Sequence, residues 1–414
     1  MRGNNKSNSK TSDKYNSDYT SDIESESMSS CFGSNEIPKF ISCKTKNPKN
    51  PCPLRSFCDP GLPNTCNMPP CINQCTPKQS VTTWKINYLV SNHRLEAAHY
   101  DTDLVQPRSV VIFNNQLWVS NTMSDKITNY DLFGNKLLEA IQVRWNNKIT
   151  SFPTGLVVNC GSGFPVTSGS GVGARPASLL TATKTGDLVA YNPVTDMKRG
   201  YVVIDNKTAG NIAVYTGLAV VGNWVYLADF YRGHINVYNA NFNLLGIHGR
   251  NFVDNYAADP IPIAYGPHNI VYIPPYLYIL YAERDPEILV HHTSGAGKGY
   301  ISVFNLEGGF IKRFHSGGVL NTPWAMIPAP CECGIPEGAL LVGNEGDGRI
   351  NIFDRDGNFL GPMLSQSGIP IVIPGLQSLY PHYTTFNEIF FTSSIDIENS
   401  GLLGSLVKDQ VITI

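Results

Sequence analysis

From Trp84 onward the chain repeats one pattern at a period of about 50 residues, and this recurrence limits the fold more than any other feature. One unit reads Pro107-Arg-Ser-Val-Val-Ile-Phe, a turn at Asn114-Asn-Gln, Leu117-Trp-Val-Ser-Asn, Asp125-Lys-Ile-Thr-Asn-Tyr-Asp131, then Gly134-Asn-Lys-Leu. It returns from Thr216 through Trp224-Val-Tyr-Leu-Ala-Asp229 and Gly233-His-Ile-Asn-Val-Tyr-Asn239, and again from Pro323 through Ala339-Leu-Leu-Val-Gly-Asn-Glu345 and Gly348-Arg-Ile-Asn-Ile-Phe-Asp354. Weaker copies start at Pro153, Pro267 and Gly375. Each unit is four short apolar strands separated by Gly, Asn and Asp turns, the period and texture of a propeller blade. Six copies predict an all-β chain whose residues 81–414 form a six-bladed β-propeller. The last copy lacks an outer strand, and Trp84-Lys-Ile-Asn-Tyr-Leu-Val-Ser91 is placed to supply it, closing the ring and removing free sheet edges. A β-sandwich of unrelated strands is the competing reading, but it leaves the recurring turn residues unexplained.

The rest of the chain differs in kind. Residues 1–30 are Ser, Asn, Asp and Lys with almost nothing to bury, which predicts a disordered leader. Residues 31–80 carry Cys31, Cys43, Cys52, Cys58, Cys66, Cys71 and Cys75 among many prolines. Too few apolar residues lie there to form a core, so a disulfide-stapled segment is expected. With Cys160, Cys331 and Cys333 these make ten disulfide candidates, and an odd number in the extension points one of them elsewhere, another chain included. Connectivity is not readable from spacing. Spacings such as Cys66-x4-Cys71 are not those of common zinc sites, and no histidine lies between residues 31 and 80; an all-Cys metal site and free thiols stay open. No apolar signal segment or membrane span is legible, so the cysteines suggest a virion or another oxidising environment without a visible secretory leader. A net charge of −2 and scattered basic residues argue against nucleic acid as a partner.

A propeller collects side chains from distant blades at one rim of its channel. Arg108, Thr154, Thr216, His268, Trp324 and Gln377 begin inner strands by position in the repeat; Asn121, Thr183, Asp229, Glu283, Glu345 and Ser393 end second strands. Arg108, Asn121, Asp229, His268, Glu283, Trp324 and Glu345 are therefore the channel and ligand candidates, with strand capping as their plainer role. His291-His292 reads as solvated loop. Gly295-Ala-Gly-Lys-Gly lacks the full phosphate-loop pattern and precedes a strand, and no G-x-S-x-G occurs.

Several stretches resemble an uncharacterised, mostly bacterial six-bladed propeller family related to NHL-repeat and gluconolactonase-like propellers. They include Asp101-Thr-Asp-Leu-Val-Gln-Pro-Arg-Ser-Val, Leu117-Trp-Val-Ser-Asn, Gly266-Pro-His-Asn-Ile and Leu341-Val-Gly-Asn-Glu-Gly-Asp-Gly-Arg-Ile-Asn. The Asn- and Ser-rich leader on such a propeller is similar to proteins of giant DNA viruses of amoebae. The resemblance implies the fold and no established reaction. Gluconolactonase-like relatives hold a divalent metal with carboxylates and amides, so Asp229, Glu283 and Glu345 are the candidates for Ca²⁺ or Mg²⁺, although the metal motif itself is not matched. The expected function is a non-enzymatic structural or binding propeller in an extracellular or virion-surface assembly, cross-linked through its Cys-rich segment to itself, with protein or glycan as partner. A metal-dependent lactonase-like enzyme and a glycan- or small-ligand-binding propeller are the alternatives.

Overall fold

The computed structural model describes residues 80–413, apart from 94–96, 144–149, 168–172, 207–211, 246–251, 331, 333, 384–386 and 395–398. The expectations for the leader, for the segment with Cys31, Cys43, Cys52, Cys58, Cys66, Cys71 and Cys75, and for Cys331 and Cys333 lie outside the described residues. Cys160 lies half-buried in a loop of the second blade.

Among the described residues every regular element is a β-strand, and no helix is long and apolar enough to cross a membrane. Among the described residues the strands form six largely antiparallel blade sheets in chain order, with a separate two-stranded ribbon of Pro165–Val166 and Arg175–Pro176. Their inner strands are Pro107–Phe113, Pro153–Val158, Tyr215–Val221, Tyr265–Ile273, Pro323–Pro328 and Leu376–Pro381. Each touches the next, and the sixth returns to the first, so the ring is closed. Closure comes from Ser80–Ser91, which pairs antiparallel with Leu402–Thr413 from Ser80 opposite Thr413 to Ser91 opposite Leu402. The predicted closing strand is therefore present and begins earlier than Trp84. In the third blade the fourth strand is represented only by a bridge between Tyr238 and Leu244 among the described residues.

Six apolar layers, one between each pair of neighbouring blades, replace a single central core. The cause is the period of two in a strand. In Gln116–Asn121, Leu117 and Val119 face the sixth blade while Trp118 faces the second. In Trp224–Asp229, Val225 and Leu227 face the second blade, and Tyr226 and Ala228 the fourth. Second strands are thus buried on both faces, so they read as nearly continuous apolar runs. Trp84 is 1% exposed in the layer between the fifth and sixth blades, so the closing strand adds about 2–3 kcal/mol of apolar burial from this side chain alone.

The inner strands share one irregularity. Each carries a register shift against its second strand at the same place in the repeat: at Arg108, at Thr154-Gly155, and at Thr216, His268, Trp324 and Gln377. An extra residue in one strand leaves the ladder and aims its side chain away from the sheet. Repeated around the ring, it turns these side chains toward the axis, where Arg108, His268, Trp324 and Gln377 meet.

Candidate functional site

Cross-ring contacts show where those side chains go. Arg108, from the first blade, donates through Nη1 to Glu345 Oε1 at 2.7 Å and to Gln377 Oε1, and through Nη2 to His268 Nε2 at 3.1 Å. Its guanidinium lies 5.2 Å from the centre of the Trp324 ring. Trp324 in turn crosses to the third blade, where Nε1 donates to the Thr216 carbonyl at 3.1 Å. One arginine therefore joins the first, fourth, fifth and sixth blades, and one tryptophan joins the fifth to the third. Thr154 and Thr216 bond backbone instead: Thr154 Oγ1 donates to the Tyr215 carbonyl at 2.8 Å and Thr216 Oγ1 to the Pro267 carbonyl at 3.4 Å.

The second ring of residues needs a correction of register. Opposite the bulges the second strands carry Asn121, Thr183, Asp229, Tyr281, Asn344 and Ser393, and the fourth blade's strand runs on to Arg284. The sequence reading set Glu283 and Glu345 beside Asn121 and Asp229, but they lie two residues and one residue further on. A one-residue step reverses the side of the sheet that a side chain takes. Thr122, Lys184, Phe230, Glu345 and Ser394 occupy that next position, and each amide donates to the carbonyl two residues before the bulge, at 2.9–3.0 Å. Glu345 reaches the mouth this way. Phe230 does too, its ring centre 5.5 Å from that of His268. Lys184 faces Arg108 and Glu345; burial pushes its amine down to about 8, Arg108 adds to the fall and Glu345 opposes it.

The other candidates are held elsewhere. Asn121 is buried in its own blade, its amide donating to the Val119 carbonyl at 3.1 Å and to Thr128 Oγ1 at 3.0 Å. Asp229 Oδ1 accepts the Val214 and Arg232 amides, each at 3.2 Å; burial raises this carboxyl's pKa against those bonds. Glu283 pairs with Lys298 and accepts from Thr293 Oγ1 at 2.6 Å, and these bonds lower its pKa. Asp229, Glu283 and Glu345 therefore do not assemble into one ligand set. The all-oxygen arrangement that suits Ca²⁺ or Mg²⁺ is not built from them.

A residue read as solvated loop takes their place. His292-Thr293 pairs with Glu283-Arg284 as a two-residue strand, which brings His292 Nε2 to 3.1 Å from Glu345 Oε1. The His268 and His292 ring centres are 5.0 Å apart, and His268 Nε2 lies 3.6 Å from Glu345 Oε2. His268, His292 and Glu345 form the one group among the described residues in which at least three His, Cys, Asp or Glu side chains could share a metal ion.

The electrostatics fix the protons. Burial pushes His268 well below its ordinary value; Glu345 opposes this, while His292 and Arg108 reinforce it. His268 is thus neutral, and its Nδ1 lies 3.2 Å from the Pro323 carbonyl, which can only accept. The proton sits on Nδ1, leaving the Nε2 lone pair for Arg108. For Glu345, burial alone would raise the pKa, but Arg108, His292 and His268 together hold it well below the carboxylate range. Arg108 Nε, His292 Nδ1 and Glu345 Oε2 are buried with no hydrogen-bond partner in the protein.

Comparison with known proteins adds the family. No family model matches the chain. Protein L690 of Acanthamoeba polyphaga mimivirus, an uncharacterized protein, is 53% identical over 364 residues, covering 88% of this chain and 96% of that protein. Protein R648 of the same virus, also uncharacterized, is 53% identical over 365 residues, covering 88% and 90%. A solved structure from Bacteroides thetaiotaomicron, a structural genomics protein of unknown function, aligns over 80% of this chain and 77% of that one, with 9% identity and a TM-score of 0.49. The chain is a six-bladed β-propeller and belongs to the family of these mimivirus proteins.

Proposed function

We propose that the chain is a non-enzymatic structural or binding propeller, a component of a virion-surface or other extracellular assembly cross-linked through the Cys-rich segment 31–80. The observation that carries this reading is the engagement of Arg108 by Glu345, Gln377, His268 and Trp324. A general base needs a free lone pair and a general acid needs a proton to give. Here the His268 lone pair is spent on Arg108, and the same guanidinium helps hold Glu345 so far below the carboxylate range that it is a weak base. The mouth is arranged as a brace across four blades, which suits a rigid scaffold. The cysteines at 31–75 supply the means of linking one scaffold to the next.

Three buried atoms without partners at the mouth favour a second reading, a propeller that takes a small polar ligand there, since such atoms are costly unless something bonds to them. The first reading is tested by the intact mass of native material with and without reductant. It expects covalent multimers that collapse on reduction. A monomer whose ten thiols all alkylate without reductant overturns it.

A further inference from the structure

We propose that His268, His292 and Glu345 form a site for one divalent transition metal, and that this ion and the Arg108 guanidinium are alternative occupants of the channel mouth.

The ligand atoms of the three residues lie within 4.8 Å of one another, and each histidine is near one oxygen of the Glu345 carboxylate, so a small inward shift of the side chains lets them share an ion. With metal–ligand bonds of about 2.0–2.2 Å, neighbouring ligand atoms of a tetrahedral ion are about 3.3–3.6 Å apart. His268 Nε2 to Glu345 Oε2 is 3.6 Å, and His292 Nε2 to Glu345 Oε1 is 3.1 Å. Of the two histidines, His268 is already prepared as a ligand. His268 donates Nδ1–H to the Pro323 carbonyl, the outer bond that orients a ligating imidazole and frees Nε2. His292 Nε2–H now donates to the ionised Glu345; when an ion binds, that proton passes to Nδ1, which has no partner in the protein. The segment carrying His292 is held in place: it pairs with Glu283-Arg284, and Lys298 Nζ donates to Thr293 Oγ1 at 3.1 Å. Two imidazoles and one carboxylate suit Zn²⁺, Co²⁺ or Ni²⁺ better than Ca²⁺ or Mg²⁺, and leave a position for water or a polar ligand.

Arg108 is the competitor. Its Nη2 lies 3.1 Å from His268 Nε2 and its Nη1 2.7 Å from Glu345 Oε1, so it uses two of the atoms the ion needs. A guanidinium and a divalent ion repel, and both cannot hold His268 Nε2. Metal entry therefore requires the guanidinium to leave.

The test is a Co²⁺ titration of the full chain after its cysteines have been alkylated, read by visible absorption. The expected result is one cobalt per chain with visible d–d bands and no near-ultraviolet thiolate band. His292→Ala, half-buried in a two-residue edge strand, should weaken binding about tenfold or more, as should Glu345→Gln. Arg108→Met should tighten binding about tenfold or more. Three results overturn the proposal: no cobalt bands in the native chain, bands that persist unchanged in His292→Ala, or bands that appear only in Arg108→Met.

Discussion

Arg108→Met removes the cation on which the mouth is built while keeping much of the side chain's volume. The Arg108 and Glu345 side chains are 10% and 11% exposed and 2.7 Å apart. At that distance, with an effective dielectric of about 20, their attraction is about 6 kcal/mol. Desolvation of the two ions offsets most of it, so the intact pair adds little net stability. Breaking the pair is different, because a buried carboxylate then stands uncompensated, at a cost of about 3–5 kcal/mol. For a domain of this size the melting temperature should fall by about 4–7 °C. The pH dependence identifies the cause. In the native protein the folded pKa of Glu345 lies below its unfolded value. Its stabilisation is therefore complete above the unfolded value of about 4.3 and lost as pH falls through the folded one. In the variant burial is opposed only by His292 and His268, so the folded pKa rises and protonation relieves part of the penalty. The stability gap between native and variant should narrow as pH falls from about 7 toward 4. Adding Glu345→Leu should restore most of the loss. Urea denaturation followed by tryptophan fluorescence at several pH values measures all of this. A loss under about 1 kcal/mol, or a gap that does not change with pH, refutes the reasoning.

Three further outcomes follow from the same contacts. Trp324→Phe removes the Nε1–H bond to the Thr216 carbonyl and weakens the stack under Arg108, and should cost about 1–2 kcal/mol in the same denaturation assay. Lys184 has a folded pKa of about 8 against 10.5, so its buried charge destabilises the fold below about 8 and the effect fades as pH rises to its unfolded value. Lys184→Met should thus stabilise by on the order of 1 kcal/mol at pH 7 and by nothing above about pH 10.5, as followed by urea midpoints. A chain beginning at Asn92 lacks the Ser80–Ser91 strand, exposes the Leu402–Thr413 edge and should associate, seen as oligomers in size-exclusion chromatography where the full chain elutes as its native species.

The sequence made the ring legible because the blade repeats: Leu117-Trp-Val-Ser-Asn, Trp224-Val-Tyr-Leu-Ala-Asp and Ala339-Leu-Leu-Val-Gly-Asn keep the same buried alternation. The missing outer strand of the last unit correctly pointed to Trp84–Ser91. Position in the repeat also located Arg108, His268, Trp324 and Gln377, which meet across the axis. What it could not give was the register at the ends of the second strands. A one-residue step separates Asp229, bonded inside its own turn, from Glu345, which enters the mouth. Aligning the two by their carboxylates hid the position of Lys184 and Phe230, which the repeat does contain one residue beyond Thr183 and Asp229. His292 had no such signal. It arrives from an insertion peculiar to the fourth blade, and only the pairing of His292-Thr293 with Glu283-Arg284 brings it inward.

Arg108 locks the mouth into one set of protonation states, Glu345 ionised and His268 neutral with its proton on Nδ1. Nitrogen and carbon NMR of the His268 ring from pH 8 to pH 5 tests it most directly. The expected result is a neutral Nδ1–H imidazole whose shifts do not titrate across that range. A His268 that takes up a proton with a midpoint near the ordinary value of about 6.5, or that carries its proton on Nε2, contradicts it.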